Sequence, residues 1–282
     1  MGPPTGGGSP GPRAEGHLDT TPGPSRRVDV AFAALTLALG LAAGFLSGLF
    51  GVGGGVVMVP AILLLVPDTG FHAAKAVSLL VISLATLVGV LRHRRAGNVD
   101  FRVGALLATT GLAGSVVGTA ASLLVAGRVL EAGFGLFIAA TGAQLARPGE
   151  TRPRALAPRA RAALLAAVGF AGGLLAGFFG VGGGIVMVPG MVLAGFGMHL
   201  AVGTSLVAVF GNAVAATATN VGYGFGDVLA RLGLPIALGS LAGITLGVAA
   251  ANRLHATRLR RLFGAFLIVV GIGMLVRAAL GH

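Results

Sequence analysis

The sequence contains no cysteine and no tryptophan, one tyrosine, Tyr223, and one lysine, Lys75. Without cysteine there are no disulfides, no cysteine-ligated zinc and no thiol catalysis. The lack of tryptophan and the lone tyrosine remove the aromatic belt that usually anchors membrane helices, which leaves arginine to mark helix ends. Acidic residues are also scarce. The eight present are Glu15, Asp19, Asp29, Asp68, Asp100, Glu131, Glu150 and Asp227, all in tails or near the ends of apolar segments. Charged residues make up 10% of the 282-residue chain, against about a quarter in soluble domains, while 55% are hydrophobic. So few charges cannot cover a water-facing surface. The composition predicts an all-α polytopic membrane protein, in which each spanning helix needs about 20 apolar residues.

The net charge of +12 comes from 20 basic residues, all arginine except Lys75. Most sit in short loops beside apolar runs, the pattern of charges retained on the cytoplasmic side of a membrane. They lack interleaved stacking aromatics and any helix-turn-helix or finger spacing, so the basic balance does not indicate nucleic acid. Residues 1–25 are rich in Gly, Pro, Ser and Thr and read as a disordered N-terminal tail. Arg26 and Arg27 read as cytosolic charge flanking the first span rather than as a twin-arginine export signal, because Asp29 interrupts the apolar stretch. Ten apolar blocks follow, at roughly 28–50, 55–66, 73–91, 102–126, 129–146, 161–180, 184–197, 200–222, 228–251 and 258–279. The second and seventh are too short to cross alone, and each follows a glycine cluster. Merging each with its predecessor predicts about eight transmembrane helices with two glycine-broken segments and both termini cytoplasmic. On that count Arg26 and Arg27, the Arg92–Arg95 loop and the linker share one side, whereas the loop carrying Arg253 falls on the wrong one.

The chain is internally duplicated. Phe50-Gly51-Val52-Gly53-Gly54-Gly55-Val56-Val57-Met58-Val59-Pro60 recurs as Phe179-Gly180-Val181-Gly182-Gly183-Gly184-Ile185-Val186-Met187-Val188-Pro189, ten identities in eleven at an offset of 129. Gly44 and Gly48 match Gly173 and Gly177, and Gly114 and Gly118 match Gly243 and Gly247. After a two-residue shortening, His72, Ala74, Ser78 and Leu79 match His199, Ala201, Ser205 and Leu206. These matches divide the chain into a first membrane repeat at 26–146, a basic cytoplasmic linker at 147–160 and a second membrane repeat at 161–282.

Gly51 to Gly55, Gly180 to Gly184, Ala201-Val202-Gly203-Thr204-Ser205-Leu206 and Gly97-Asn98-Val99-Asp100 resemble the repeated motifs of the sulfite exporter TauE/SafE family of membrane permeases. The resemblance covers about residues 28 to 280 and implies export of sulfite or small sulfonated and related organic anions. The first repeat departs from the pattern with Val77-Ser78 where the second has Thr204-Ser205, which implies that the two repeats need not contact substrate equally.

A run such as Gly53, Gly54 and Gly55, or Gly182, Gly183 and Gly184, is a poor helix, since each Gly costs about 1 kcal/mol relative to Ala. The helix is expected to break there, with the broken backbone facing protein rather than lipid. The residues after each break would open a half-helix whose free N–H groups and positive dipole end suit an anion near the membrane midplane. Leucine at Gly54 or Gly183 is therefore expected to stop transport in a folded protein, and leucine at Gly118 to lower the folded yield. The alternative reading of glycine, close helix packing, is preferred for Gly44, Gly48, Gly114, Gly118, Gly173, Gly177, Gly239, Gly243 and Gly247. A nucleotide site is excluded because neither cluster has the last glycine of G-x-G-x-x-G or the Lys-Ser/Thr of a phosphate loop.

Further candidates are polar groups inside apolar blocks. Ser205, Asn212 and Thr219 recur every seven residues and share a helix face, either lining a path with Thr204 or bonding neighbouring helices. Asn212 is the stronger choice, because an amide deep in hydrocarbon needs partners and its NH₂ can donate to an anion. Ser78 is the first-repeat match of Ser205. Lys75, in the first turn of its span, either attracts the anion or snorkels to water. His72 and His199 read as interfacial rather than metal-binding, and Asp100 and Asp227 as helix caps. No metal or cofactor site is expected. The expected function is a secondary transporter exporting a small anion from a prokaryotic cell across the plasma membrane, with uptake of an organic anion or neutral solute, or a scaffold, as alternatives. Neither a protease pair nor a phosphate loop is present to support an enzyme.

Overall fold

A computed structural model describes residues 30–50, 53–66, 69–146, 157–251, 253 and 256–280. The expected tail, residues 1–25, and most of the expected linker, 147–156, lie outside them. Among the described residues every regular element is a helix. In chain order these are α1 (Val30–Phe50), α2 (Gly55–Leu65), α3 (Phe71–Arg95), α4 (Phe101–Leu123), α5 (Gly127–Ala146), α6 (Pro158–Phe179), α7 (Gly184–Leu193), α8 (Met198–Gly222), α9 (Gly226–Ala251) and α10 (Ala256–Leu280). Eight are 20 residues or longer, while α2 and α7 have 11 and 10. Within the described residues α3, α4, α6, α8 and α9 are long and apolar enough to cross a bilayer. The chain is an all-α polytopic membrane protein. Its helix α6 starts at Pro158, inside the stretch expected to be linker, because proline at the first helical position loses no hydrogen bond.

The halves interleave rather than standing side by side. The most extensive helix pairings, α1 with α9, α4 with α6 and α5 with α10, all join one half to the other, and α3 crosses α8 at the centre. Small residues make these approaches possible. A Cβ on Gly40, Gly44 or Gly48 of α1 would lie 2.0, 2.2 or 2.5 Å from the carbonyl oxygens of Ile236, Ser240 and Ile244. Gly239, Gly243 and Gly247 of α9 return the contact onto Leu37, Leu41 and Phe45. The α4–α6 pair repeats the arrangement, with Gly114 and Gly118 against Phe170 and Leu174, and Gly173 and Gly177 against Gly111 and Ser115. In lipid no water is released by such contact, so close backbone packing itself supplies the attraction. Gly44, Gly48, Gly114, Gly118, Gly173, Gly177, Gly239, Gly243 and Gly247 have the packing role read for them from sequence, and Gly40 and Gly111 share it.

Following these contacts gives the direction of each helix. Helix α3 ends in Arg92, His93, Arg94 and Arg95, which define one face of the bundle. Helix α4 starts at that face, where the Asp100 carboxylate accepts from the N–H groups of Arg102 and Val103 at 3.0 and 3.1 Å. It ends at the far face beside the start of α3, since Lys75 donates to Ser122 Oγ. Helix α6 runs parallel to α4 and α1 runs parallel to α9, whereas α5 and α10 are antiparallel, with Gly142 against Gly264 and Gly135 against Gly271. Each helix of the second half therefore runs opposite to its counterpart in the first. The described start of α1 and end of α10 are both on the far face, where the 3.0 Å Glu131–Arg277 ion pair ties α10 to α5.

This geometry corrects the expected placement of the basic regions. The start of α1 lies on the opposite face from Arg92–Arg95, so the two cannot share a side. The cause is the direction taken at each glycine break. A Cβ on Gly183 would meet Gly172 O, and one on Gly190 would meet the Val168 side chain. Farther along, the Arg161 guanidinium stacks on Phe196 at 4.3 Å. Helix α7 thus runs back along α6 instead of continuing it, and each glycine-broken segment is a hairpin that returns toward the face it left.

Candidate functional site

The two hairpin tips meet at the centre of the molecule. Gly53 and Gly54 have φ of 88° and 73°, and their counterparts Gly182 and Gly183 have 75° and 82°. Two consecutive left-handed residues are inaccessible to a run of ordinary side chains, and they swing the chain from one helix into the reversed one. Gly54 and Gly183 cap the N-termini of α2 and α7, whose first residues are Gly55 and Gly184. The first internal bonds come only at Val57 and Val186, donated to Gly54 O and Gly183 O at 3.1 Å. The amides before them belong to the set that a helix start leaves without an internal partner.

Contact between the tips is direct. A Cβ on Gly55 would lie 2.2 Å from Gly180 O, and one on Gly53 3.4 Å from Val181 O. Ile82 of α3 and Val209 of α8 close the flanks of this junction. All the described tip residues are buried. The sequence-predicted glycines are therefore brought to one place, enclosed by protein as broken backbone at membrane depth requires. A small crevice beside the first tip is lined by Ser47, Gly53, Met58, Ile82 and Ser240.

Space around the tips changes one expectation about substitution. A Cβ would fall 2.5 Å from Ala43 O at Gly54 and 2.3 Å from Gly172 O at Gly183. Leucine there collides with a rigid helix carbonyl, as it does at Gly118, where the nearest oxygen is 2.1 Å away. All three replacements strike the packing of the fold.

Lys75 and Ser78 join the second tip. Ser78 Oγ donates to Gly180 O at 2.7 Å and lies 2.9 Å from Lys75 O. The Lys75 stem runs beside Gly180, where a Cβ would be 2.7 Å from Lys75 Cγ. Lys75 is 0% exposed, so it does not snorkel to water. Its Nζ donates to Ser122 Oγ, and among the described residues no carboxylate lies within ion-pair distance of it. A buried ammonium that, among the described residues, meets a hydroxyl and no carboxylate lacks a counter-charge, the condition that favours an anion as its partner.

The remaining candidates lie elsewhere. Thr204 Oγ1 accepts from the Asp100 N–H at 2.9 Å, fastening the α4 start to α8 at the arginine-rich face. Ser205 Oγ donates to Val202 O at 2.8 Å within α8. Asn212 is 0% exposed and lies against Gly111, yet among the described residues neither its Oδ1 nor its Nδ2 has a hydrogen-bond partner. His72 and His199 occupy opposite faces of the bundle and cannot share a ligand. Asp100 caps a helix as expected; Asp227, in the first turn of its helix, makes no side-chain cap bond.

Sequence reading missed Ser115, Thr119 and Ser122. They lie on one face of α4, all 0% exposed, with Ser115 Oγ donating to Asn212 O and Ser122 Oγ to Thr119 O, both at 2.7 Å. The signal was available. At the 129-residue offset these hydroxyls stand opposite Ile244, Val248 and Ala251, a polar-for-apolar exchange within an otherwise matched segment.

A family model described as Sulfite exporter TauE/SafE matches residues 36–274, and the chain belongs to that family. It is 30% identical over 253 residues to a "Probable membrane transporter protein" of Xylella fastidiosa, covering 86% of this chain and 95% of that one. It is also 28% identical to the "Probable membrane transporter protein YunE" of Bacillus subtilis, over 84% of this chain and 95% of the relative. A probable membrane transporter protein of Methanocaldococcus jannaschii is 27% identical over 86% and 95% of the two chains. No solved structure matches. The protein is a multi-pass plasma-membrane protein of a transporter family.

Proposed function

We propose that the chain is a secondary transporter that moves a small anion, such as sulfite or an organosulfonate, out of a prokaryotic cell, with no covalent chemistry. The observation that carries this reading is the meeting of the two hairpin tips, each opening a half-helix, beside the buried Lys75, which has no carboxylate within ion-pair distance among the described residues. Both elements favour negative charge, one through partial charges on free amides and the other through a full charge. The family's name and the relatives named as transporters support it.

Orientation follows from the arginines. The sequence joining α3 to α4 carries Arg92, Arg94, Arg95 and Arg102 at its edges, that joining α5 to α6 carries Arg147, Arg152, Arg154, Arg159 and Arg161, and that joining α9 to α10 carries Arg253, Arg258, Arg260 and Arg261. These 13 of the 20 basic residues mark the cytoplasmic side, and the loop with Arg253 no longer stands apart. The start of α1 and the end of α10 then lie on the outer side. An interior-negative potential favours anion exit by about 2.3 kcal/mol per charge per 100 mV, so export needs no coupling ion.

The test uses oriented proteoliposomes loaded with ethanesulfonate or sulfite, with the potential clamped by potassium and valinomycin at equal pH. Efflux that rises with the imposed potential is expected. Efflux indifferent to potential but driven by a pH gradient replaces uniport with proton coupling, and no movement of either anion rejects the reading. A cysteine introduced at Arg94 should resist an impermeant reagent added outside cells, and one at position 282 should react.

A further inference from the structure

The two halves present one matched helix face in two chemistries. On α4 the face toward α6 and α8 carries Gly111, Ser115, Thr119 and Ser122, spaced by four, four and three residues. On α9 the same positions are Ser240, Ile244, Val248 and Ala251. The row on α4 ends in Lys75 and begins at Asn212, whose counterparts are Val202 and Ala85. Ala85, Ile244 and Val248 close into an apolar cluster with Val88. The α4 seam carries three buried hydroxyls between Gly111 and the end of the helix, whereas the mirror seam beyond Ser240 is apolar.

We infer that the anion path follows the α4–α6–α8 seam alone, with the Asn212 amide and the Lys75 ammonium as two successive binding stations and the hydroxyls between them as relays. This deepens the transporter reading and rests on it. Hydroxyls that merely fastened helices together would leave no unused group among them, yet both polar atoms of the Asn212 side chain lack a partner while fully buried. That amide is a donor waiting for an acceptor. At the other end the ammonium meets a serine hydroxyl that itself donates to Thr119 O and can turn. The 11 helical steps from Gly111 to Ser122 span about 16 Å, too far for one small anion to touch both ends. The seam is therefore a path with two stops rather than a single pocket. Its groups supply donors and positive charge and no carboxylate, which selects an oxyanion rich in acceptor oxygens, such as a sulfonate or sulfite. The tips of both hairpins remain where they meet, but only the second, touching Lys75 and Ser78, borders this path.

The native lack of cysteine makes the test direct. Ser115→Cys, Thr119→Cys and Ser122→Cys, and the mirror set Ile244→Cys, Val248→Cys and Ala251→Cys, are each made in the full chain and placed in liposomes. The probe is 2-sulfonatoethyl methanethiosulfonate, itself a small sulfonate. The α4 set is expected to react at least tenfold faster than the mirror set and to be slowed by ethanesulfonate. Equal rates, a faster mirror set, or no reaction at either set beyond that of a lipid-facing control such as Leu136→Cys overturns the inference. Monodisperse elution of each variant guards against misfolding, and Ser→Cys changes a single atom. Transport is read separately on the unmodified protein. If the α4 positions are protected by ethanesulfonate but the protein moves no anion, the transporter reading fails while the binding seam stands. If it moves anions while the α4 positions stay inert, the seam fails while the transporter reading stands.

Discussion

The first hairpin tip, at Gly53–Gly55, and the second, at Gly182–Gly184, share a backbone conformation to within about 15° in φ, and each caps a short helix with a left-handed glycine. Their surroundings differ. The second tip receives a hydroxyl from Ser78 and the stem of a buried lysine, and beyond Lys75 lies the hydroxyl row of α4. The first tip adjoins a crevice with Ser47 and Ser240, but its neighbouring helix face ends in Ala85, Ile244 and Val248. Duplication has thus kept what the backbone needs in both copies and kept charge and hydroxyls in one. Glycine is retained twice because geometry leaves no substitute, whereas the buried lysine and the α4 hydroxyl row each occur in one copy.

The largest effects should treat the two tips alike. Gly54→Leu and Gly183→Leu each impose a left-handed side chain, costing about 1–2 kcal/mol, and an overpacked helix contact of about 1–3 kcal/mol. Little monodisperse protein should be recovered from either, as judged by size-exclusion yield. A well-folded Gly54→Leu would show that the tips are not equivalent even in backbone.

Charge should then separate them. Lys75→Met is expected to lower sulfonate transport by at least about tenfold, equal to about 1.4 kcal/mol, while the mirror change Val202→Met alters it by less than about twofold. Similar losses from both, measured as initial efflux rates, would restore a symmetric site.

Asn212→Ala should pull function and stability apart. It removes a buried amide that has no partner, a group whose burial costs about 1–3 kcal/mol, so the melting temperature should hold or rise while transport falls several-fold. A clear drop in melting temperature would mean that the amide is structural.

The smallest effect is expected at Thr204, which sequence placed in the site and the structure places at the α4 start. Thr204→Val removes the acceptor for the Asp100 N–H and should cost about 1 kcal/mol in denaturant unfolding with transport within about twofold of the parent. A tenfold loss of transport would return Thr204 to the path.

Much was legible in the chain itself. Scarce charge, long apolar blocks and the repeated Phe-Gly-Val-Gly-Gly-Gly segment determined an all-helical membrane protein with two broken segments, because a bilayer tolerates few backbone solutions and glycine runs cannot stay helical. The small-residue spacings along α1, α4, α6 and α9 foretold close helix contacts, and Asp100 foretold a cap. Direction was not legible. Whether α7 continues α6 or doubles back depends on two φ angles and on what Gly172 and Val168 offer to pack against, and sequence periodicity has no sign along the membrane normal. The partners of Lys75, Thr204 and Asn212 were hidden for a related reason: each is met by a segment 47 to 104 residues away, so only the crossing of the two halves decided which polar group lines a seam and which fastens a loop.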